Sequence, residues 1–211
     1  MALTRTLGKR LVFILLTLSV AHAADGTPIR EAELAEKLRF YASIASLEAD
    51  FHQVKDLKDM GMQMKSEGRF RLEPPSGAVV WEVRKPAHVK VELDAKGIRI
   101  TSGDGAQATV QTFRAEEMPK GGDAASLHDL VAWLKLDAHA LAEQYEIARL
   151  PDDRFLFTPR KPGPFRTMEM ALAKDGHLKT LVLDEASGDR MTIAFEKPRV
   201  VRKAAAKKAR P

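Results

Sequence analysis

The sequence predicts a mainly β protein with covering helices (α+β), in which about eleven strands form one antiparallel sheet. Apolar residues alternate with charged ones through most of the chain, as in a sheet with one buried face and one wet face. The connections between these segments are too short for crossover helices, so neighbouring strands are expected to be antiparallel. A sheet this wide tends to curl or close, and the few helices would cover its apolar concave side.

The first element is a helix predicted over residues 28–45. Pro28 suits its first turn, while Glu31 and Glu33 suit the positive end of the helix dipole. Four apolar residues fall on one face of this helix, Leu34, Leu38, Tyr41 and Ala45.

Strands are predicted from Leu47 onward, because the apolar period changes there to two. Turn residues separate the alternating segments from one another. The predicted strands lie at residues 47–52, 60–72, 79–83, 88–93, 98–100, 107–113, 145–147, 155–157, 168–172, 178–183 and 191–195.

In residues 123–144 the apolar residues stop alternating with polar ones and recur at helical spacing instead. Ser126 suits the N-cap of one helix, and a second short helix is predicted from Asp137. The apolar residues of the first of these helices are Leu127, Leu130, Val131, Trp133 and Leu134.

Residues 1–23 have the pattern of a cleavable secretory signal peptide. A positively charged start is followed by an apolar run and a small-x-small tripeptide, namely Arg5, Lys9 and Arg10, residues 11–20, and Ala21-His22-Ala23. The run is half the length of the ~20 apolar residues that a membrane-spanning helix needs, which disfavours a membrane anchor. We therefore expect an exported protein that begins near Ala24.

The formal net charge of +5 is unevenly distributed along the chain. Without the three positive charges of residues 1–23 and the six of residues 199–211, the body at residues 24–198 carries −4. An exported, mildly acidic body is not expected to bind nucleic acid. Residues 199–211 are predicted to be a basic, disordered tail. The alternative is a tail that lies on an anionic membrane surface, where each basic side chain contributes about 1 kcal/mol.

Patterns typical of catalysis and metal binding are missing from the sequence. The chain has no Cys, and its histidines after residue 23 match no metal-ligand spacing. Ser126, His128 and Asp129 are close in sequence, but they would lie on different sides of a helical turn and could not form a relay. We expect neither enzyme activity nor a cofactor.

Methionine recurs on the apolar parity of two predicted strands. One strand carries Met60, Met62 and Met64, and another carries Met168 and Met170. Core filling is one interpretation. Because methionine repacks easily against varied partners, contact with flexible acyl chains is the other, and the sequence leaves both open.

Short motifs stand in a fixed order between residues 30 and 196. Residues 46–53, with the letters SLEADFHQ, match an S-[FL]-x-A-x-F-x-Q pattern after the first helix. Residues 68–75 form a Gly-led strand that ends in Pro, and Trp81 follows. Residues 94–98 and 183–189 fit two later hairpins. In order and spacing the chain resembles the outer-membrane lipoprotein carrier (LolA-like) family.

This resemblance implies an incomplete antiparallel β-barrel with a helical lid over a hydrophobic cavity. It also implies a periplasmic carrier that shields acyl chains of lipoproteins, or another lipid, between the inner and outer membranes. The implied partners are lipidated protein or lipid cargo, an inner-membrane donor complex and an outer-membrane acceptor, and we expect a monomer. The residues expected to line the cavity are Phe51, Met62, Met64, Phe70, Trp81, Val91, Ile100, Leu130, Trp133, Leu134, Phe157, Met168 and Met170.

One position departs from the family pattern. The family has an Arg immediately before the Pro of the Gly-led strand, where it helps to hold the lid, but Pro74 stands there in this chain. Arg69 and Arg71 are near, but they do not occupy the matching position.

Two other functions remain as alternatives. A periplasmic lipid-sensing or regulatory module would use the same fold without transport, although no second domain is predicted after residue 196. A lipid hydrolase is disfavoured because no nucleophile and base are recognisable.

Overall fold

The computed structural model describes residues 26–114 and 133–203. These residues contain three α-helices, α1 (Glu31–Lys37), α2 (Arg39–Ser43) and α3 (Ala138–Gln144). The strands are β1 (Thr27–Pro28), β2 (Ile44–Leu57), β3 (Met62–Glu73), β4 (Ala78–Lys85), β5 (Val89–Asp94), β6 (Gly97–Ser102), β7 (Thr109–Arg114), β8 (Tyr145–Leu150), β9 (Arg154–Pro159), β10 (Phe165–Leu172), β11 (Leu178–Glu185) and β12 (Arg190–Arg202).

All twelve strands belong to one sheet in the order β1-β8-β9-β10-β11-β12-β2-β3-β4-β5-β6-β7. Two meanders, β8–β12 and β2–β7, are joined where β12 pairs with β2 in antiparallel register. The sheet is not closed, because β1 and β7 lie at its two ends. The predicted open, antiparallel architecture is confirmed, and β1 is the strand that the sequence analysis did not include.

The predicted helix over residues 28–45 is wrong in its length and continuity. Leu38 has a non-helical backbone between α1 and α2, and α2 ends at Ser43. The next residue already belongs to β2, where Ile44 pairs with Arg202. Sheet pairing therefore determines where the helical segment ends, and a pattern of apolar residues does not report that pairing.

The tail predicted to be disordered from residue 199 is also wrong at its start. Arg199 pairs with Glu48, and β12 continues to Arg202. The backbone N–H of Lys203 then donates to the carbonyl of Ser43 at 3.2 Å. Because β2 supplies a partner edge, this basic stretch forms a strand despite its lack of apolar periodicity. Residues 204–211 lie outside the described residues, as does the predicted signal peptide.

The sheet has one apolar face, called here the inner face, and one charged outer face. On the outer face, Arg71 contacts Glu48 at 2.8 Å, and Lys85 contacts Glu67 at 2.6 Å. Such exposed ion pairs each contribute little stability, with a median of about 0–1 kcal/mol. Burial of the inner face is therefore the main source of stability.

The helices pack on the β8–β11 half of the sheet. The hydroxyl of Tyr41 in α2 accepts a 2.6 Å hydrogen bond from the backbone N–H of Leu178. Burial raises the pKa of this hydroxyl, although the hydrogen bond from Leu178 acts in the opposite direction. Helix α3 begins where the sequence predicts it, at Asp137, whose carboxylate caps it by accepting from the N–H of Ala140 at 3.0 Å. Within residues 26–114 and 133–203, none of the helices is long and apolar enough to cross a bilayer.

Candidate functional site

Cross-strand register aligns the apolar residues of the inner face into continuous rows. One row crosses the β2–β6 half and consists of Ala49, Phe70, Trp81, Val91 and Ile100. Another crosses the β8–β12 half and consists of Ile147, Phe157, Met168, Leu183 and Met191. Both rows lie on the same face of the open sheet, so the apolar surface is contiguous from β8 to β6.

An aromatic cluster forms the centre of the β2–β6 half. The ring of Phe51 stacks on Trp81 with centroids 4.0 Å apart, and Phe195 packs edge-on against Phe70 at 5.5 Å. Gly68 makes room for this arrangement, because a Cβ there would lie 1.8 Å from the carbonyl oxygen of Glu82. Trp81 is only 2% exposed, so this part of the inner face is packed core.

Helical residues cover the other half of the inner face. The ring of Trp133 packs edge-on against Phe157 with centroids 5.2 Å apart. The ring of Tyr145 on β8 also packs edge-on against Phe157, with centroids 6.0 Å apart. Met168 and Met170, on the next strand, are fully buried. The nearby Leu136 is buried with a positive φ of 54°, a backbone region that costs roughly 1–2 kcal/mol for a residue with a Cβ. That turn connects Trp133 to the start of α3.

Among the described residues, none of the helices covers the far ends of β2 and β3. Strand β4 pairs with β3 only as far as Glu67, so within the described residues β2 alone pairs with Met62 and Met64. Both methionines have the same parity as Phe70 and therefore belong to the inner face, yet each is 52% exposed. An apolar extension of the inner face thus lies open at this end.

A charged cluster lies on the inner face beside this extension. The ammonium of Lys55, opposite Met64 in the register, contacts Glu185 at 2.8 Å and Asp189 at 3.6 Å. Partial burial acts to lower the pKa of Lys55, but the hydrogen bond and charge of Glu185, aided by Asp189, raise it above its ordinary value. The cluster fixes the end of the β11–β12 hairpin against β2.

A cavity of about 620 Å³ opens beside the covered half. Its apolar wall comes from Trp133, Leu141, Tyr145 and Phe165, and basic side chains stand around it. Since Trp133 also packs on Phe157, the cavity adjoins the inner face. The volume lies within the range of roughly 300–1,000 Å³ that is usual for small-molecule sites.

Comparison with known families agrees with this arrangement. The family model described as "Outer membrane lipoprotein carrier protein LolA" matches residues 42–208. The chain belongs to this family. The matched segment includes almost the whole sheet, from the end of α2 to residues beyond β12.

Individual relatives are more distant. The chain is similar to the outer-membrane lipoprotein carrier protein of Chromohalobacter salexigens, with 29% identity over 83% of this chain and 78% of that protein. Among solved structures, a LolA superfamily protein from Nitrosomonas europaea has 8% identity and a TM-score of 0.42, covering 84% of this chain and 96% of its own. A chain of the Pseudomonas aeruginosa MucA/MucB complex has 17% identity and a TM-score of 0.46. The match covers 86% of the present chain and only 60% of the chain in that complex.

The residues predicted to line a LolA-type cavity fall into three groups. Most of them are buried along the inner face or its helical cover, namely Phe51, Phe70, Trp81, Val91, Trp133, Leu134, Phe157, Met168 and Met170. Ile100 is partly buried in the same row, and Met62 and Met64 are half-exposed. Leu130 lies outside the described residues, together with the predicted N-cap at Ser126. Whether any of these side chains contacts a ligand stays a prediction.

Sequence reasoning did not include several residues of the same surface. Phe155, Leu181, Leu183 and Phe195 are buried in line with the predicted ones. Their strand parity was visible in the sequence, because each stands two residues from another apolar residue of its strand. Phe165 and Leu141, which line the cavity, carry no comparable signal.

Arg71 has a role on the outer face. Its guanidinium contacts Glu48 at 2.8 Å and Glu73 at 2.6 Å. It is therefore engaged with strand neighbours on the face opposite to the apolar surface, and the family arginine has no counterpart at Pro74.

Proposed function

We propose that this protein is a periplasmic carrier that shields the acyl chains of lipoproteins, or of another lipid, in transit from the inner to the outer membrane. The observation that supports this proposal most directly is the contiguous apolar inner face of an open sheet in a member of the LolA family. An open sheet gives an elongated apolar ligand access from the side, which a closed and filled barrel would not.

The physical gain from shielding an acyl chain is large. Each buried methylene contributes about 0.8 kcal/mol, so covering even part of one chain outweighs a modest cost of ordering. Methionines suit such a surface, because their flexible thioether side chains adapt to chains of different length and shape. Met62 and Met64 are exposed on the inner face, and Met168 and Met170 lie under the cover.

Loading then requires the cover to yield while the sheet remains intact. Strand pairing, including that of β12 with β2, holds the sheet independently of the helices. In the described residues, the polar contacts that attach the cover to the sheet include the hydrogen bond between Leu178 and Tyr41 and the ion pair of Lys37 with Asp153 at 3.1 Å. Elements with few attachments open at lower free energy than core strands.

Transport implies export and two membrane-associated partners. The leader at residues 1–23 is proposed to direct the chain to the periplasm. A donor complex at the inner membrane and an acceptor at the outer membrane would then load and unload the cargo.

The proposal is tested first by what the protein carries. The chain with a C-terminal affinity tag is purified from the periplasm without detergent, and its extracted lipids are identified by mass spectrometry. We expect acylated species in near-stoichiometric amount. A folded protein that carries no acyl lipid and binds no apolar fluorescent probe would contradict the carrier function.

A pair of neighbouring substitutions tests whether cargo reaches the uncovered extension. Met64 and Lys65 are both exposed, but they point to opposite faces of β3. Met64→Glu is expected to weaken binding of an apolar probe by about tenfold or more, because a carboxylate would have to be desolvated against the chain. Lys65→Glu is the control and should bind as the wild type does. Wild-type affinity in a folded Met64→Glu protein would exclude this strand from the site.

A further inference from the structure

The cavity beside Trp133 combines an apolar wall with unpaired polar groups. In the part of the chain that the structure describes, the buried indole Nε1 of Trp133 has no hydrogen-bond partner, and the whole residue is only 4% exposed. A buried donor without an acceptor costs about 1–3 kcal/mol, and native proteins avoid such groups unless a ligand or water satisfies them. Since Trp133 lines the cavity, this unpaired donor lies in its wall, and a polar ligand atom would reach it only after a shift of the indole.

The charges around the cavity favour a negative ligand. Lys135 and Lys161 both line it, and in the part of the chain that the structure describes neither has a carboxylate within 4 Å. Arg160 also lines the cavity, and its guanidinium forms an ion pair with the carboxylate of Glu146 at 3.3 Å. Free ammonium groups beside an apolar wall attract an anion through charge-assisted hydrogen bonds.

The two acidic residues that line the cavity are already engaged. The carboxylate of Asp137 accepts the N–H of Ala140 as the N-cap of α3. Glu143 lies 3.6 Å from the imidazole of His139 on the same helix. Three basic and two acidic side chains line the cavity, so the local balance remains positive by one charge.

The loop that carries Lys161 is held in place. Lys161 precedes a Pro-Gly-Pro sequence, and the carbonyl of Pro164 accepts the N–H of Ala186 at 2.8 Å. On the other side, the N–H of Arg160 donates to the carbonyl of Gln144 at 2.9 Å. The basic rim is therefore fixed at both ends of the loop, to the last residue of α3 and to the residue that follows β11, which lowers the entropic cost of binding.

We propose that this cavity binds the anionic head group of an amphiphile, a carboxylate or a phosphate, whose acyl chain passes Trp133 and lies along the inner face at Phe157. This inference rests on the proposed carrier function and narrows its cargo to anionic lipids. The ammonium groups of Lys135 and Lys161 bind the head group, and the apolar wall, which includes Trp133, binds the start of the chain.

The test compares cis-parinaric acid with its methyl ester, which has the same chain and no charge. Fluorescence titration of the full-length protein is expected to show the acid binding roughly tenfold more tightly than the ester, as hydrogen bonds to a charged group imply. Added salt should weaken binding of the acid more than binding of the ester, because salt screens charge interactions. Equal affinities would overturn the head-group assignment and leave the carrier function standing, whereas failure of both ligands to bind would refute the carrier function itself.

Two double lysine variants test whether the acid binds in this cavity. The double variant Lys135→Gln/Lys161→Gln should lose roughly tenfold in affinity for the acid and little for the ester. The control, Lys65→Gln/Lys96→Gln, removes the same charge at exposed positions that do not line the cavity. A loss of equal size in the control would mean that overall charge, not this cavity, attracts the acid, and the assignment would be wrong.

Inorganic phosphate distinguishes a lipid head group from a free anion. Calorimetric titration with phosphate is expected to give no measurable binding, since the chain supplies most of the affinity. Saturable phosphate binding that displaces the acid would show a site for free anions and would overturn the lipid form of the proposal.

Discussion

Two strands carry the same Met-x-Met sequence on the same face of the sheet, yet their side chains have opposite environments. Met168 and Met170 on β10 are fully buried, whereas Met62 and Met64 on β3 are 52% exposed. Met64 and Met168 even lie in one cross-strand row, joined through Lys55, Met191 and Leu183. The difference arises from what lies over each strand, because helices and Trp133 cover β10 and its neighbours.

A charge placed in each methionine pair should give the largest difference in stability between the two regions. Met168→Glu would bury a carboxylate without a partner, so we expect a chain that is largely unfolded at 25 °C. Met64→Glu should change the free energy of unfolding by no more than about 0.5 kcal/mol, as is usual for exposed sites. Urea unfolding followed by circular dichroism measures both. Similar losses in the two variants would contradict the difference in cover.

Trp81→Ala should come next in size. Trp81 packs against Phe51, Phe70 and Phe195 without a helical cover from the described residues. Its burial therefore depends on side chains of the strands. We expect a loss of about 3–5 kcal/mol, as for other buried aromatic truncations. Val110→Ala, at an exposed position on β7, is the control and should have little effect. A small loss for Trp81→Ala would mean that this half of the inner face is a cavity wall, as the sequence had suggested, and not packed core.

Tyr41→Phe tests how the cover is attached to the β8–β11 half. The change removes the acceptor for the buried N–H of Leu178, which should cost about 1–3 kcal/mol. Hydrogen exchange should rise in α1 and α2 more than in β2 and β3, since only the attachment of the helices is weakened. Equal acceleration throughout the sheet would show that cover and sheet unfold as one unit.

The smallest effect is expected at the contact between α1 and α3. His139 on α3 lies 3.2 Å from Glu31 on α1, and its hydrogen bond and charge interaction with Glu31 raise the pKa of the imidazole. A raised pKa in the folded state stabilises the protein below the unfolded value of about 6.5, and this contribution disappears as the pH rises through the folded pKa.

His139→Gln should therefore lower the melting temperature slightly at pH 5.5 and leave it unchanged at pH 8.5. The melting temperature of both proteins across this range is the measurement. A difference that stays constant with pH would show that the imidazole contributes through packing and not through its charge.

The antiparallel sheet, and the side of each strand that faces inward, could be predicted from alternation along the chain. Alternation is a local property, since successive side chains point to opposite faces, and it correctly placed Phe70, Trp81 and Met168 on one apolar surface. The motifs at residues 46–53 and 68–75 also led to the family that the comparison shows. The N-cap at Asp137 was predictable for the same reason, because capping depends on neighbouring residues only.

Tertiary structure decided what covers each part of that surface. Parity tells which face a side chain points to, but not which distant segment packs on it, and so Met64 and Met168 were indistinguishable before the fold was known. The same reason accounts for the helix that ends at Ser43 and the strand that continues to Arg202, because both depend on pairing between segments about 160 residues apart. The cavity beside Trp133 likewise brings together α3, β8 and the loop before β10. Long-range packing of this kind leaves no local signal in the residues that take part in it.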